Sequence, residues 1–220
     1  MLEAAVRLFS VQPMNSRKDK AVIAGLEPSG TQLRALVDDL FMGVVLSRVP
    51  KSGASGTPAR VINTRDIEGG VLKPLDQLDN VNVPSTSQMD HYHIWDGDVL
   101  VAARGAFKVA RVRAEHAGAI AGPNLIVIRP SPSMQPSLLY AFLQHPDIQS
   151  QIQRKSVKTT VASIGIDTIA NLYIKLPDPS RQIDLAKLID LAERQYVLGR
   201  RIGEIRRELG QEIVARELIV

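Results

Sequence analysis

Hydrophobic and polar positions alternate in short bursts through most of the chain, and a sustained helical period appears only towards its end. Val6, Leu8 and Val11 alternate with other residues, the charged turn Asn15–Lys20 follows, and Ala21–Leu26 is a second apolar run closed by Glu27–Gly30; this reads as a β-hairpin. After Gly43–Leu46, the Gly-, Ser- and Pro-rich stretch Pro50–Pro58 reads as a loop whose small side chains allow close backbone approach. From Ala59 to Pro130 the pattern is β-rich, with Val61–Asn63, Val81–Val83, Val99–Ala102, Lys108–Val112 and Asn124–Ile128 separated by turns such as Glu68–Gly70 and Asp96–Asp98. Short strands between Gly and Asp turns predict a curved or barrel-like sheet. Leu138, Leu139, Phe142, Leu143, Ile148 and Ile152 share one broad face and predict a helix over Ser137–Gln153. The polar stretch Lys155–Thr160, a helical turn at Asp167–Asn171 and a strand at Leu172–Leu176 complete this region.

The closing helix is expected from Ser180, with the serine as N-cap, to about residue 216. Leu188, Leu191, Gln195, Leu198, Ile202, Ile205 and Leu209 are spaced 3,4,3,4,3,4, the period of a coiled-coil seam. Gln195 places one polar group in that seam, a device that fixes register at some cost in stability. Arg200, Arg201, Arg206, Arg207 and Arg216, interleaved with Glu193, Glu204, Glu208 and Glu212, read as an outer, solvated face. The seam needs either another helix or its own domain. The expected architecture is therefore α+β: an extension over 1–35, a β-rich domain with small helices over 36–179, and a long coiled-coil-type helix over 180–216.

Composition narrows the class. At 220 residues with 45% hydrophobic content, the chain suits a globular protein. No apolar run reaches the roughly 18 residues of a membrane span, and the amino-terminal stretch, acidic at Glu3, fits a signal peptide poorly. The absence of cysteine excludes a disulfide framework or a thiolate metal site, so a cytoplasmic location is expected. A net charge of +4 permits nucleic-acid binding without demanding it.

Enzyme motifs are missing. His91 and His93 share one strand face, but no third ligand follows at metal-site spacing; His116 and His145 stand apart. Gly97 and Gly105 make no phosphate-binding glycine loop, and turn chemistry accounts for Asp96 and Asp98. Basic loops are more informative. Arg104 and Lys108 flank a turn after the strand Val99–Ala103; Lys155, Lys158, Thr159 and Thr160 form a second loop; Lys51, Arg60 and Arg65 surround the Gly-rich stretch. Such loops contact phosphates through Lys, Thr and backbone N–H groups and read bases through Arg. They also serve simply to keep a loop soluble.

Several segments in order resemble the specificity subunits of type I restriction–modification enzymes: Ile62–Gly70, then Asp96–Gly105 (DGDVLVAARG), Asn124–Pro130, the helix with Leu139–Leu143, Ile164–Pro177, and Gln182-Ile183 opening the long helix. The resemblance implies a DNA target-recognition domain followed by one spacer helix, with no catalytic activity and no cofactor of its own. It implies double-stranded DNA as ligand, with a methyltransferase subunit and a restriction (nuclease/translocase) subunit as partners supplying the chemistry. Full-length members carry two such domains and two helices, whereas this chain has one of each. The expectation is a half-length subunit that dimerises through Leu188, Leu191, Leu198, Ile202, Ile205 and Leu209. A protein–protein adaptor with a β-rich binding domain is the alternative, and a metal enzyme built on His91 and His93 is the third reading.

Overall fold

The structure, a computed structural model, describes residues 30–45, 56–84, 87–157 and 160–218. The hairpin expected from Val6 to Leu26 and most of the Gly-rich loop lie outside the described residues. Eleven strands are found among the described residues: β1 (Thr31–Gln32), β2 (Val37–Met42), β3 (Gly56–Ile62), β4 (Ile67–Glu68), β5 (Val71–Leu72), β6 (Asp79–Pro84), β7 (Val99–Ala102), β8 (Val109–Arg111), β9 (Ile120–Ala121), β10 (Leu125–Pro130) and β11 (Tyr173–Ile174). The helices are α1 (Ser87–Asp90), α2 (Pro136–Gln144), α3 (Pro146–Lys155), α4 (Ile166–Ala170) and α5 (Pro179–Leu218).

The centre is an antiparallel sheet of order β2-β10-β7-β8. Both faces are covered, and the alternation along each strand assigns its side chains. Val99, Val101, Val109, Ile126 and Ile128 face the helices, meeting Leu139 and Leu143 of α2 and Ile148 and Ile152 of α3. Leu100, Ala110, Leu125 and Val127 face the other way, onto Ile62, Ile67, Leu72 and Ile94. A second sheet, β6-β3-β9, with β3 antiparallel to β6 and parallel to β9, supplies part of that layer through Ile62 and Ala121, and the β4–β5 hairpin adds Ile67 and Leu72. The α+β expectation holds, and among the described residues the sheets stay open, with no closed barrel.

Two boundaries differ from the sequence reading. The domain takes in residues before 36, because β1 pairs with β11 and Leu33 is fully buried in the helix-side core. The helix expected over Ser137–Gln153 is two helices. His145 has φ −59° and ψ 134°, an extended conformation that the following Pro146 favours by steric clash with any helical alternative. Pro146 then opens α3, where its missing N–H costs nothing.

The long helix begins one residue early, with Pro179 in its first turn and the Gln182 N–H donating to the Asp178 carbonyl at 2.9 Å. Its 40 residues span about 60 Å at 1.5 Å per residue. It is docked on the domain only as far as Arg200. Gln182, Ala186 and Glu193 are buried, and Ile189 packs against the helix-side core. The apolar seam lies on the opposite side of the helix and is bare: Leu188, Leu191, Leu198, Ile202, Ile205 and Leu209 are all exposed. Of the two ways to satisfy the seam, packing on its own domain is not the one used. Among the described residues no helix is long and apolar enough to cross a membrane.

Candidate nucleic-acid interface

One end of the central sheet gathers the chemistry that the sequence scattered. Strand β7 ends there, β10 begins there, and the chain leaving β2 passes through Gly43, whose N–H donates to the Leu125 carbonyl at 2.8 Å. The turn Arg104–Lys108 closes β7 and β8. It joins the loop after α3 directly: Gly105 N–H donates to the Ala162 carbonyl and Ile164 N–H to the Ala103 carbonyl, both at 2.9 Å, around a β-bridge between Arg104 and Ser163. Two basic loops separated by some fifty positions are thus one surface.

The turn is held from beneath. Phe107 is 1% exposed, a plug in the helix-side core, and its φ of 44° puts a bulky residue in the left-handed region. Such a conformation costs of order 1–3 kcal/mol and persists only where surrounding contacts enforce it. Gly105, at φ 79°, supplies the other left-handed position at no steric cost. Arg104, between strand and glycine, is exposed, and its side chain has no partner among the described residues.

The other expected contact residues fall into three groups. Lys155, at the end of α3, and Thr160, three positions before the Ser163 bridge to Arg104, are exposed. Arg65 is 67% exposed but pairs with Asp79 and lies 3.9 Å from Asp66. Arg60 and Lys108 are engaged internally: Arg60 donates to the Leu78 carbonyl at 2.9 Å, and Lys108 Nζ donates to the Ile67 carbonyl at 2.9 Å. Lys51, Lys158 and Thr159 lie outside the described residues.

The far end of the same sheet has the opposite character. Asp98 is 1% exposed, accepts the Trp95 N–H at 2.8 Å and holds Arg129 in two hydrogen bonds of 3.0 and 2.8 Å. Burial raises the Asp98 pKa, and the Arg129 bonds and Trp95 N–H only partly offset it. Arg129 in turn stacks 3.6 Å over the ring of Trp95, which is 58% exposed. Asp38 and Asp96, both exposed and without an ion-pair partner among the described residues, rim the adjoining groove of about 360 Å³. His91 sits over Phe41 with Nδ1 3.7 Å from Asp39, and His93 Nδ1 lies 2.8 Å from the Gly118 carbonyl. Among the described residues no three His, Cys, Asp or Glu side chains cluster as metal ligands.

A third cluster was not foreseen, and it corrects the reading of Glu193 as an outer-face charge. Glu193 is 9% exposed and meets Arg111 at 3.1 Å and Arg113 at 2.7 Å. Arg111 also bonds Ser137 and lies 2.6 Å from Asp190, whose carboxylate accepts the Ser137 hydroxyl at 2.8 Å. Burial alone would raise Asp190's pKa, yet the Ser137 and Arg111 bonds outweigh it and leave it below the ordinary 3.8. One signal did exist: Arg111 is two positions after Val109, so strand alternation puts it on the helix-facing side.

The fold these elements compose is that of the specificity subunits of type I restriction–modification systems. Solved structures carry it, three of them as follows. A structure of a type I R-M system, described in terms of complex assembly and conformational transition, matches at TM-score 0.55 and 20% identity over 86% of this chain and 45% of that one. The HsdS subunit from Thermoanaerobacter tengcongensis gives 0.51 and 19% over 82% and 41%, and the S subunit from M. genitalium 0.53 and 18% over 86% and 46%. This chain therefore spans somewhat under half the length of each. No protein-family model and no curated protein sequence matches it.

Proposed function

We propose that the chain is a non-catalytic, sequence-specific DNA-recognition subunit of the type I restriction–modification kind, working in the cytoplasm and reading one half of a split site. The observation that carries this reading is the fused surface of the Arg104 turn and the loop after α3, on a fold that specificity subunits share. Arg104, unpaired and fixed from below, is the reading residue in this proposal; Lys155, Thr160 and Arg65, together with Lys51, Lys158 and Thr159, are its candidates for phosphate contacts. A second copy packed antiparallel through Leu188–Leu209 would restore the two-domain length, and the two-fold symmetry of that pair corresponds to a palindromic split site. Methylation and cleavage then belong to a recruited methyltransferase subunit and a nuclease subunit.

The experiment is a gel shift with random duplex DNA at low and moderate salt, followed by selection of a preferred duplex. Binding that weakens steeply with salt supports the reading. The adaptor alternative has one observation in its favour, the exposed Trp95 with the acidic rim of Asp38 and Asp96, a surface suited to protein and repellent to DNA. Absence of any salt-sensitive DNA binding would favour it.

A further inference from the structure

The β4–β5 hairpin touches both the recognition turn and the long helix. On one side Lys108, the last residue of the Arg104 turn, donates to the Ile67 carbonyl at 2.9 Å. On the other, Arg200 donates to the Glu68 carbonyl at 3.2 Å and lies 3.8 Å from the Glu68 carboxylate. The tip is shaped for this position. Gly69 and Gly70 have φ of 59° and 82°; a Cβ on Gly69 would collide with the Tyr196 hydroxyl, and one on Gly70 with Tyr140 and Gln144. The Tyr140 hydroxyl donates to the Gly70 carbonyl at 3.1 Å.

We propose that this hairpin is a strut that sets the distance and angle between the recognition turn and the helix, with Lys108, Glu68, Tyr196 and Arg200 as positioning residues for half-site spacing. The consequence for spacing rests on the DNA-recognition reading above; the strut itself does not. Lever geometry shows why the outer contact matters. Without it, the helix is gripped from Gln182 to Glu193, about 16 Å, and extends some 37 Å further to Leu218. A slack of about 1 Å at Glu193 moves the free end by about 3.3 Å, close to one base-pair step of ~3.4 Å. Gripping to Arg200 cuts that to about 2 Å. The outer ion pair is largely solvated, with side chains 38% and 49% exposed, so it adds little stability. Its contribution is to direction.

The chain has no cysteine, so Ala106→Cys on the turn and Gln211→Cys on the helix can carry the only two spin labels. Pulsed-dipolar distance distributions are recorded on the whole chain, diluted with unlabelled protein to suppress distances between copies. Tyr196→Ala with Arg200→Ala is expected to broaden the distribution about 1.6-fold, the lever ratio, with an unchanged melting temperature and partial rescue by Arg200→Lys. An unchanged width at intact fold overturns the strut. In the second arm, half-sites recovered by selection from random DNA are respaced one base pair at a time. The parent should prefer one spacing and the double variant should lose that preference; a variant as selective as the parent overturns the role in spacing. A parent without any spacing preference sinks the paired DNA-reading function instead, while the distance measurement still decides the strut.

Discussion

The long helix carries two stripes on opposite sides, and the more apolar of the two is the one left outside. The side docked on the domain runs through Gln182, Ala186, Ile189, Asp190, Glu193 and Arg200, where polar anchors sit among small and partly buried apolar residues; the side facing solvent runs through Leu188, Leu191, Leu198, Ile202, Ile205 and Leu209 and is apolar. A helix serving only its own core would keep such an apolar stripe inside. Charged, hydrogen-bonded groups specify position and rotation because each has few acceptable geometries, whereas an apolar seam slides more readily. The polar anchors fix the helix on its domain, while most of its large apolar side chains stay on the solvent side.

The largest expected effect comes from breaking the polar stripe. Arg111→Ala leaves Asp190 and Glu193 without their shared cation, and removing one member of a buried ion-pair cluster costs about 3–5 kcal/mol. In a domain of this size that lowers the melting temperature by about 10 °C, measurable by calorimetry. A shift under 2 °C would mean that the cluster does not anchor the helix.

The seam should respond differently. Leu198→Asp with Ile202→Asp should leave the melting temperature of the single chain nearly unchanged. It should weaken self-association by about a hundredfold or more, since burying each such side chain is worth ~1.5–3 kcal/mol. Light scattering across a concentration series checks this, and a parent that stays monomeric at high micromolar concentration rules the pairing out.

Arg104→Ala touches neither stripe. It should reduce affinity for a selected duplex by about 5- to 100-fold and, if Arg104 also neutralises a phosphate, lower the salt slope by about one, leaving stability and association as they were. Equal affinity of parent and variant would remove Arg104 from the interface.

The smallest effect is that of pH. Because Asp190's pKa in the folded chain lies below its ordinary 3.8, its contribution to docking is complete above that value and is lost as pH falls through the lower, folded one. Asp190→Asn should remove that part of the acid dependence of unfolding. An identical acid limb in the variant would show that the carboxylate is not titrating with the docked helix.

Much of this fold was legible from alternation. The strands β7, β8 and β10 fall where short apolar or alternating runs between turns placed them, and the seam's period announced a long helix while leaving open what would cover it. The break between α2 and α3 was written in Pro146 but masked, because Ile148 and Ile152 continue the apolar spacing of Leu139 and Leu143 across it. The polar stripe was harder to see. Arg111 and Glu193 are 82 positions apart, and no local pattern distinguishes Glu193 from the solvated glutamates beyond it. The basic loops were visible as charge, but not which would be spoken for: only folding shows that Arg60 and Lys108 bond carbonyls while Arg104 stays free.

Phe107 bears on how such a surface could diversify. The turn Arg104–Lys108 is rooted in the core by a side chain that is 1% exposed in a left-handed backbone. Drift is therefore cheap at Arg104 and Ala106, which point outward, and expensive at Phe107, where a new residue must satisfy both the strained backbone and the hydrophobic packing. A lineage could exchange what the turn presents without disturbing its frame, provided that one anchor is left alone.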